Sequence, residues 1–182
     1  MKMIFYALLG VAIGMMSVYL VLSISPDFLW IQNDVWRTSL VAGSELADPY
    51  TRAIVAKNYL YVLNRSEAIY FIAKSDGEKE LDRGCDYKIV GEDLPARWWS
   101  LTVYGEDNFL IPNEYGKYSI TSANVVKKGE VWEIHISREP KGDNWIPLRG
   151  EGKFYITLRL YNPENVVYEK IKEIRLPKII RE

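Results

Sequence analysis

His135 and Ser137 stand two residues apart in VWEIHIS, residues 131–137, with Glu133 just before them. A histidine beside a serine and a carboxylate is the composition of a hydrolytic site. The spacing argues the other way. Trp132, Ile134 and Ile136 form the apolar side of a strand, so His135 points away from the core beside Glu133 and Ser137. No sharp turn exposes the serine, and no run of free amides offers an oxyanion hole. The preferred reading is a surface histidine on a hairpin. Metal chemistry has little more to work with. The chain has one histidine and one cysteine, Cys85, far apart and without zinc-ligand spacing. The acidic turns GEDN and GEDLP do not follow the calcium-loop pattern. No glycine-rich phosphate cradle or dinucleotide fingerprint follows a strand. The sequence therefore assigns no catalytic residue, metal ligand or cofactor. Cys85 reads as a small buried side chain, the alternative being an exposed thiol linking two chains.

Binding chemistry is better represented. ARWWSLTVY, residues 96–104, alternates on a strand so that Trp99, Leu101 and Val103 share one face while Trp98, Ser100, Thr102 and Tyr104 share the other. KFYITLRLY, residues 153–161, divides in the same way. Phe154, Ile156, Leu158 and Leu160 are apolar, and Lys153, Tyr155, Thr157, Arg159 and Tyr161 oppose them. If the two polar faces lie in one sheet, they make a surface of flat rings and hydroxyls around an arginine. Such a surface suits a polar ligand with apolar faces, such as a glycan or a lipid head group, and Arg159 can pair with a phosphate or carboxylate. Two plainer readings compete: the wet side of a sheet in which Tyr, Thr and Arg fit strand geometry, and a face covered by a helix. In GDNWIPLRGEG, residues 142–152, Asn144, Trp145 and Arg149 are placed to border the surface. For Trp145 an anchor into the core is preferred, because Ile146 and Pro147 follow it. Asn113 and Tyr118 are weaker candidates of the same kind.

The elements that hold these residues read mainly as strands. EAIYFIAK (67–74), DYKIVG (86–91), 96–104, part of EYGKYSITS (114–122), 131–137 and 153–161 are predicted strands. The turns are SDGEKELDRG, GEDNF, KKGE and NPEN, with a long loop over 139–152 and a last strand or extended arm at IKEIRLP (171–177). A further strand is expected over 35–41, ended by Gly43. One soluble helix is expected. Asp48 caps its free amides and Pro49 suits its first position. Ile54, Val55 and Tyr59 form its buried stripe, Arg52 and Lys57 stay wet, and Asn64 ends it. Short strands at even spacing predict an antiparallel β-sandwich or jelly-roll-like domain over 26–182 with one short α-helix.

The amino terminus is of another kind. Met3 to Ile24, MIFYALLGVAIGMMSVYLVLSI, carries no charge. It is long enough to cross a bilayer, and longer than the apolar region of a cleaved signal peptide. Residues 1–25 are read as a retained transmembrane anchor. Lys2 precedes the run, and Asp27 and Asp34 follow it. The positive-inside bias then keeps the N-terminus in the cytoplasm and places the rest on the periplasmic side of the inner membrane. Trp30 and Trp36 suit the interfacial belt or an early strand. Gly10 and Gly14, extended by Ala7 and Ser17, form a small-residue face through which two helices can pair as a homodimer. The charge balance, 23 Lys+Arg against 24 Asp+Glu, argues against a nucleic-acid partner.

Beyond these patterns, DPYTRA, EAIYF, LPARWWSLTVYGEDNFLIPNEYGKYSI, NWIPL and FYITLRLYNPE occur in order over nearly everything after residue 30, and in them the chain resembles the bacterial family called domain of unknown function 1214. That domain stands behind domain of unknown function 1254 in longer proteins and also alone behind a membrane anchor. The resemblance implies an all-β, jelly-roll-like domain of the bacterial cell envelope and carries no catalytic residue with it. Relatives often have an aspartate after the residue matching Tyr104, where this chain has Gly105 followed by Glu106 and Asp107. The expected function is a membrane-anchored, non-enzymatic binding module. The alternatives are an envelope hydrolase acting on glycan or lipid, and a structural subunit paired through its membrane helix.

Overall fold

The computed structural model describes residues 2–23, 30–58 and 62–182, with the side chains of residues 57 and 58 excepted. The expectations for Ile24, Pro26, Asp27, Lys57 and Tyr59 lie outside what is described, as does the boundary at residues 25 and 26. Helix α1 runs Lys2–Ser23 and buries none of its residues. Its 22 residues would reach about 33 Å, the thickness of a bilayer core. Length and composition fit a membrane anchor or a signal sequence.

A hairpin follows. Strands β1 (Ile31–Asn33) and β2 (Trp36–Thr38) pair antiparallel across a two-residue turn in which Asp34 has φ 54°. The single strand expected over 35–41 is therefore half of a hairpin and stops at Thr38. The turn forms because aspartate tolerates the left-handed conformation better than most residues. Trp36 is fully buried, and its indole N–H donates to the carbonyl of Pro177 at 2.8 Å.

Helix α2 is Pro49–Asn58, begun as expected by Asp48. One carboxylate oxygen accepts from the amides of Tyr50 (2.9 Å) and Thr51 (3.2 Å), and the other from the Thr51 hydroxyl. Ile54 is buried, Val55 half-buried and Arg52 exposed.

The remaining chain builds two sheets from β3 (Ala68–Ala73), β4 (Tyr87–Gly91), β5 (Ala96–Gly105), β6 (Ser119–Thr121), β7 (Lys127–Lys128), β8 (Val131–Ser137), β9 (Trp145–Pro147), β10 (Phe154–Pro163) and β11 (Lys178–Arg181). One sheet has the order β1-β2-β3-β10-β5-β6 and the other β11-β4-β8-β7. Their inner faces supply one core cluster, in which Trp99 of β5 stacks on Trp132 of β8 at 4.8 Å between ring centroids. The architecture is the sandwich-like, mainly antiparallel one that the alternation predicts.

Three local expectations are corrected. The loop over 139–152 contains β9, which pairs with β8 in parallel, the one exception to antiparallel pairing among the described strands. Strand β10 runs on through Pro163, and the chain then forms helix α3 (Asn165–Glu169), so NPEN is not a simple turn. The last strand is Lys178–Arg181, after the irregular 171–177 stretch.

Candidate functional site

Strands β5 and β10 pair directly, and their register sets Trp98 opposite Tyr161, Ser100 opposite Arg159, Thr102 opposite Thr157 and Tyr104 opposite Tyr155. Of the nine residues assigned to one surface, the eight on β5 and β10 share one sheet face, while Lys153 lies just before β10 and pairs with Glu80. The sidedness of the two tryptophans holds as well: Trp99 is 1% exposed in the core, while Trp98 is half-buried on the other side. On the far side of β10, β3 sets Tyr70 opposite Arg159. Sequence reasoning missed Tyr70. The strand AIYFIA is buried on both faces apart from Tyr70, so it shows no two-residue rhythm, and only its register with Arg159 reveals the tyrosine.

Arg159 is the centre of the face. One terminal nitrogen donates to the Thr102 hydroxyl at 3.1 Å and the other to the Tyr104 hydroxyl at 2.6 Å. The guanidinium carbon lies 5.3 Å from the Tyr104 ring centroid and 5.7 Å from that of Tyr70, within cation–π range of both. Among the described residues, no carboxylate oxygen comes within 4.0 Å of its nitrogens. Aromatic pairs stand on either side. Trp98 and Tyr161 meet at 4.8 Å, and Tyr104 stacks on Tyr155 at 5.6 Å. The Tyr155 hydroxyl donates to the side chain of Asn108, a turn residue at φ 66°. Lys74 lies over the Tyr155 ring at 5.9 Å.

Burial divides the face. Ser100, Thr102 and Thr157 are closed off at 5%, 6% and 4% exposure, so they form a floor rather than an open surface. Trp98, Tyr104, Tyr155, Arg159 and Tyr161 remain half-buried. The Tyr70 hydroxyl accepts from the amide of Leu63, which brings the segment before β3 over this side of the sheet. Burial raises the Tyr70 phenol above its ordinary range, and burial together with Tyr104 pushes Tyr155 up to about 12. At neutral pH both phenols are protonated. The face therefore presents the Arg159 cation beside the neutral phenols of Tyr70 and Tyr155.

Asn144 and Trp145 are not on this face. They lie at and beside β9 in the other sheet. Trp145 is 5% exposed and its indole N–H donates to Ser137, which fits the core-anchor reading. Asn144 bonds the amide and carbonyl of Val126 and the carbonyl of Glu133, holding β9 against β7 and β8. Arg149 is spent on Glu114. Asn113 organises its own loop through Ile111 and Lys117.

Nor do His135 and Ser137 form a hydrolytic pair. The buried Ser137 hydroxyl donates to the carbonyl of Glu139 and accepts from Trp145, while His135 Nδ1 faces Glu182 at 4.0 Å. Cys85 is half-buried, and its sulfur accepts from Arg181 at 3.3 Å. Among the described residues, no group of three or more metal-ligating side chains converges.

A Cβ at Gly105 would sit 2.6 Å from a nitrogen of Arg83 and 2.7 Å from an oxygen of Asp107, both of them the free ends of flexible side chains. The Asp107 carboxylate thus reaches the space beside residue 105.

Comparison with known proteins adds the following. The VPA0106 protein from Vibrio parahaemolyticus is similar in structure, with a TM-score of 0.60 and 24% identity over 75% of this chain and 36% of its own. An uncharacterised protein from Burkholderia cenocepacia matches at a TM-score of 0.42 and 17% identity, over 64% of this chain and 29% of its own. The chain spans about a third of the length of each. The first likeness supports the fold. No curated protein matches. A family profile matches residues 67–165, more than half of the chain and the whole of the Arg159 face from Tyr70 to Tyr161. The chain belongs to the family described as Protein of unknown function (DUF1214).

Proposed function

We propose that this chain is a membrane-anchored binding module of the cell envelope, without catalysis of its own, that holds an anionic glycan or lipid head group on the Arg159 face. The observation that carries the reading is Arg159: a half-buried guanidinium between two tyrosine rings, with hydroxyl partners and no ion-paired carboxylate among the described residues. A buried cation is normally paired, and one left with only neutral partners keeps donors and charge for an incoming anion. The half-buried rings of Trp98, Tyr161 and Tyr155 offer flat apolar contact beside it, as sugars and head groups require. In the same reading α1 is retained, its N-terminus is cytoplasmic and the sandwich is periplasmic. The Gly10–Gly14 face, open to 4 Å around both glycines, is where a second copy's helix would pack.

The test is a titration of the full-length protein in detergent with glucuronate, glycerol phosphate and neutral glucose, read by tryptophan fluorescence and by melting temperature. The charged compounds bind and glucose does not. Arg159→Gln weakens binding at least about tenfold, the equivalent of about 1.4 kcal/mol, with little change in melting temperature, and Arg159→Lys does not restore it. If the charged compounds do not bind, or bind Arg159→Gln as well as the parent, the reading fails.

A further inference from the structure

A second surface of the chain lies close to the end of α1. Only seven residues, 24–30, separate Ser23 from the first strand at Ile31. Even fully extended they reach about 25 Å. In the structure α1 and α2 approach one another, and Leu22, in the last turn of α1, is the one half-buried residue of that helix. The domain therefore starts next to the end of its own apolar helix, with α2 beside it.

The chain around α2 exposes an unusual amount of apolar surface. Leu46 is 92% exposed, Tyr50 47%, Leu63 41% and Val41 38%. Hydrogen bonds hold these residues in one locality. The amide of Arg65 donates to the carbonyl of Gly43, and Arg52 on α2 donates to the carbonyls of Ala47 and Glu45. A cleft of about 230 Å³ lies in the same stretch of chain, lined by Ala47, Arg52, Val55 and Val62. Leucines and a tyrosine held in water are costly, and several of them gathered in one locality mark a contact surface.

We propose that this surface, centred on Leu46 and Tyr50, lies on the bilayer that α1 crosses, so that the sandwich rests against lipid instead of hanging free. The proposal rests on the membrane reading of α1 but not on the Arg159 site. The occupant is the bilayer because the tether is short and α2 approaches the anchor, whose one half-buried residue, Leu22, stands in its last turn. A tyrosine at head-group depth, a leucine below it and an arginine within reach of phosphates are the side chains that an interface favours.

The full-length chain, with Cys85→Ser to remove the native thiol, is reconstituted in vesicles of phosphatidylcholine and phosphatidylglycerol. It carries one environment-sensitive fluorophore, attached through Ile13→Cys, Leu46→Cys or Phe109→Cys. Phe109, 65% exposed beyond the far end of β5, is the aqueous control. The expected result is that labels at Ile13 and Leu46 are blue-shifted and quenched by lipid-borne nitroxides, while the label at Phe109 is neither. Loss of the Leu46 signal in a protein that also carries Tyr50→Glu, with the Ile13 signal kept, adds support. An Ile13 label quenched by lipid beside a Leu46 label as aqueous as that at Phe109 overturns this proposal and leaves the anchor standing. A Leu46 label that is blue-shifted yet unquenched by lipid nitroxides assigns the surface to a second copy and also overturns it. An unquenched Ile13 label overturns both the anchor and the surface.

Discussion

At the scale of single residues, the molecule is decided by what each side chain has as its neighbour across the pleat. Trp98 and Trp99 are adjacent in sequence and have opposite fates, because a strand turns successive side chains to opposite faces. That much is legible from ARWWSLTVY alone. The partners of Arg159 are legible only in part: Thr102 and Tyr104 follow from two strands alternating together, whereas Tyr70 lies in a strand buried on both faces. Asn144 and Trp145 mislead for the opposite reason, since a tryptophan in a glycine-rich loop gives no sign of which sheet will capture it. The tight approach of Gly91 to Trp132 is equally invisible in sequence. A Cβ on Gly91 would lie 2.3 Å from the indole ring, and that ring is fully buried and stacked on Trp99. Gly91→Ala must then displace a core tryptophan, at a cost of about 1–3 kcal/mol. Chemical denaturation of the two proteins measures it, and a loss under about 0.5 kcal/mol, the level of an ordinary surface substitution, would mean that the ring moves freely.

At the scale of elements, long strands announce themselves and short ones do not. β5 and β10 each span ten residues, enough for the alternation to be read directly. β9 has three and depends on β8 and Asn144 for its place, and β1 and β2 have three each. β11, four residues at the edge of its sheet, is held in part by side chains distant in sequence. Arg181 donates through Nε to Asp76 at 2.6 Å and through a terminal nitrogen to the carbonyl of Glu80, while its guanidinium lies over the Tyr87 ring. Burial works to raise the Asp76 carboxyl, but hydrogen bonds from the amides of Lys79 and Glu78 and from Arg181 outweigh it and hold the group at about 2. A depressed carboxylate stabilises the fold at any pH above its unfolded value near 4, and that contribution fades as pH falls from about 4 to about 2. The shift corresponds to about 2 kcal/mol. Asp76→Asn is therefore expected to lower stability at pH 7 by about that amount and to flatten the loss between pH 4 and pH 2. Denaturation curves across that range check it, and two proteins of equal acid sensitivity would show that Asp76 does not anchor β11.

At the scale of the whole molecule, two parts meet with little shared interior. The core cluster draws its residues from Trp36 to Ile179, whereas α1 buries none of its own. The helix is legible in sequence as an uninterrupted apolar run, and the sandwich because a half-wet sheet demands alternation; the two signals are independent. Independent signals predict independent stability. Removing residues 2–23 takes no side chain out of the core, so the truncated protein should melt within about 2–4 °C of the full chain in the same detergent, the shift that 1 kcal/mol produces in a domain of this size. It should also leave the membrane fraction on washing, because a few interfacial side chains hold only reversibly without a spanning helix. A much larger fall in melting temperature would mean that α1 packs on the domain as part of its structure. The contact between α1 and α2 would then be a core interaction, and the apolar surface around Leu46 would be its remainder rather than a place for lipid.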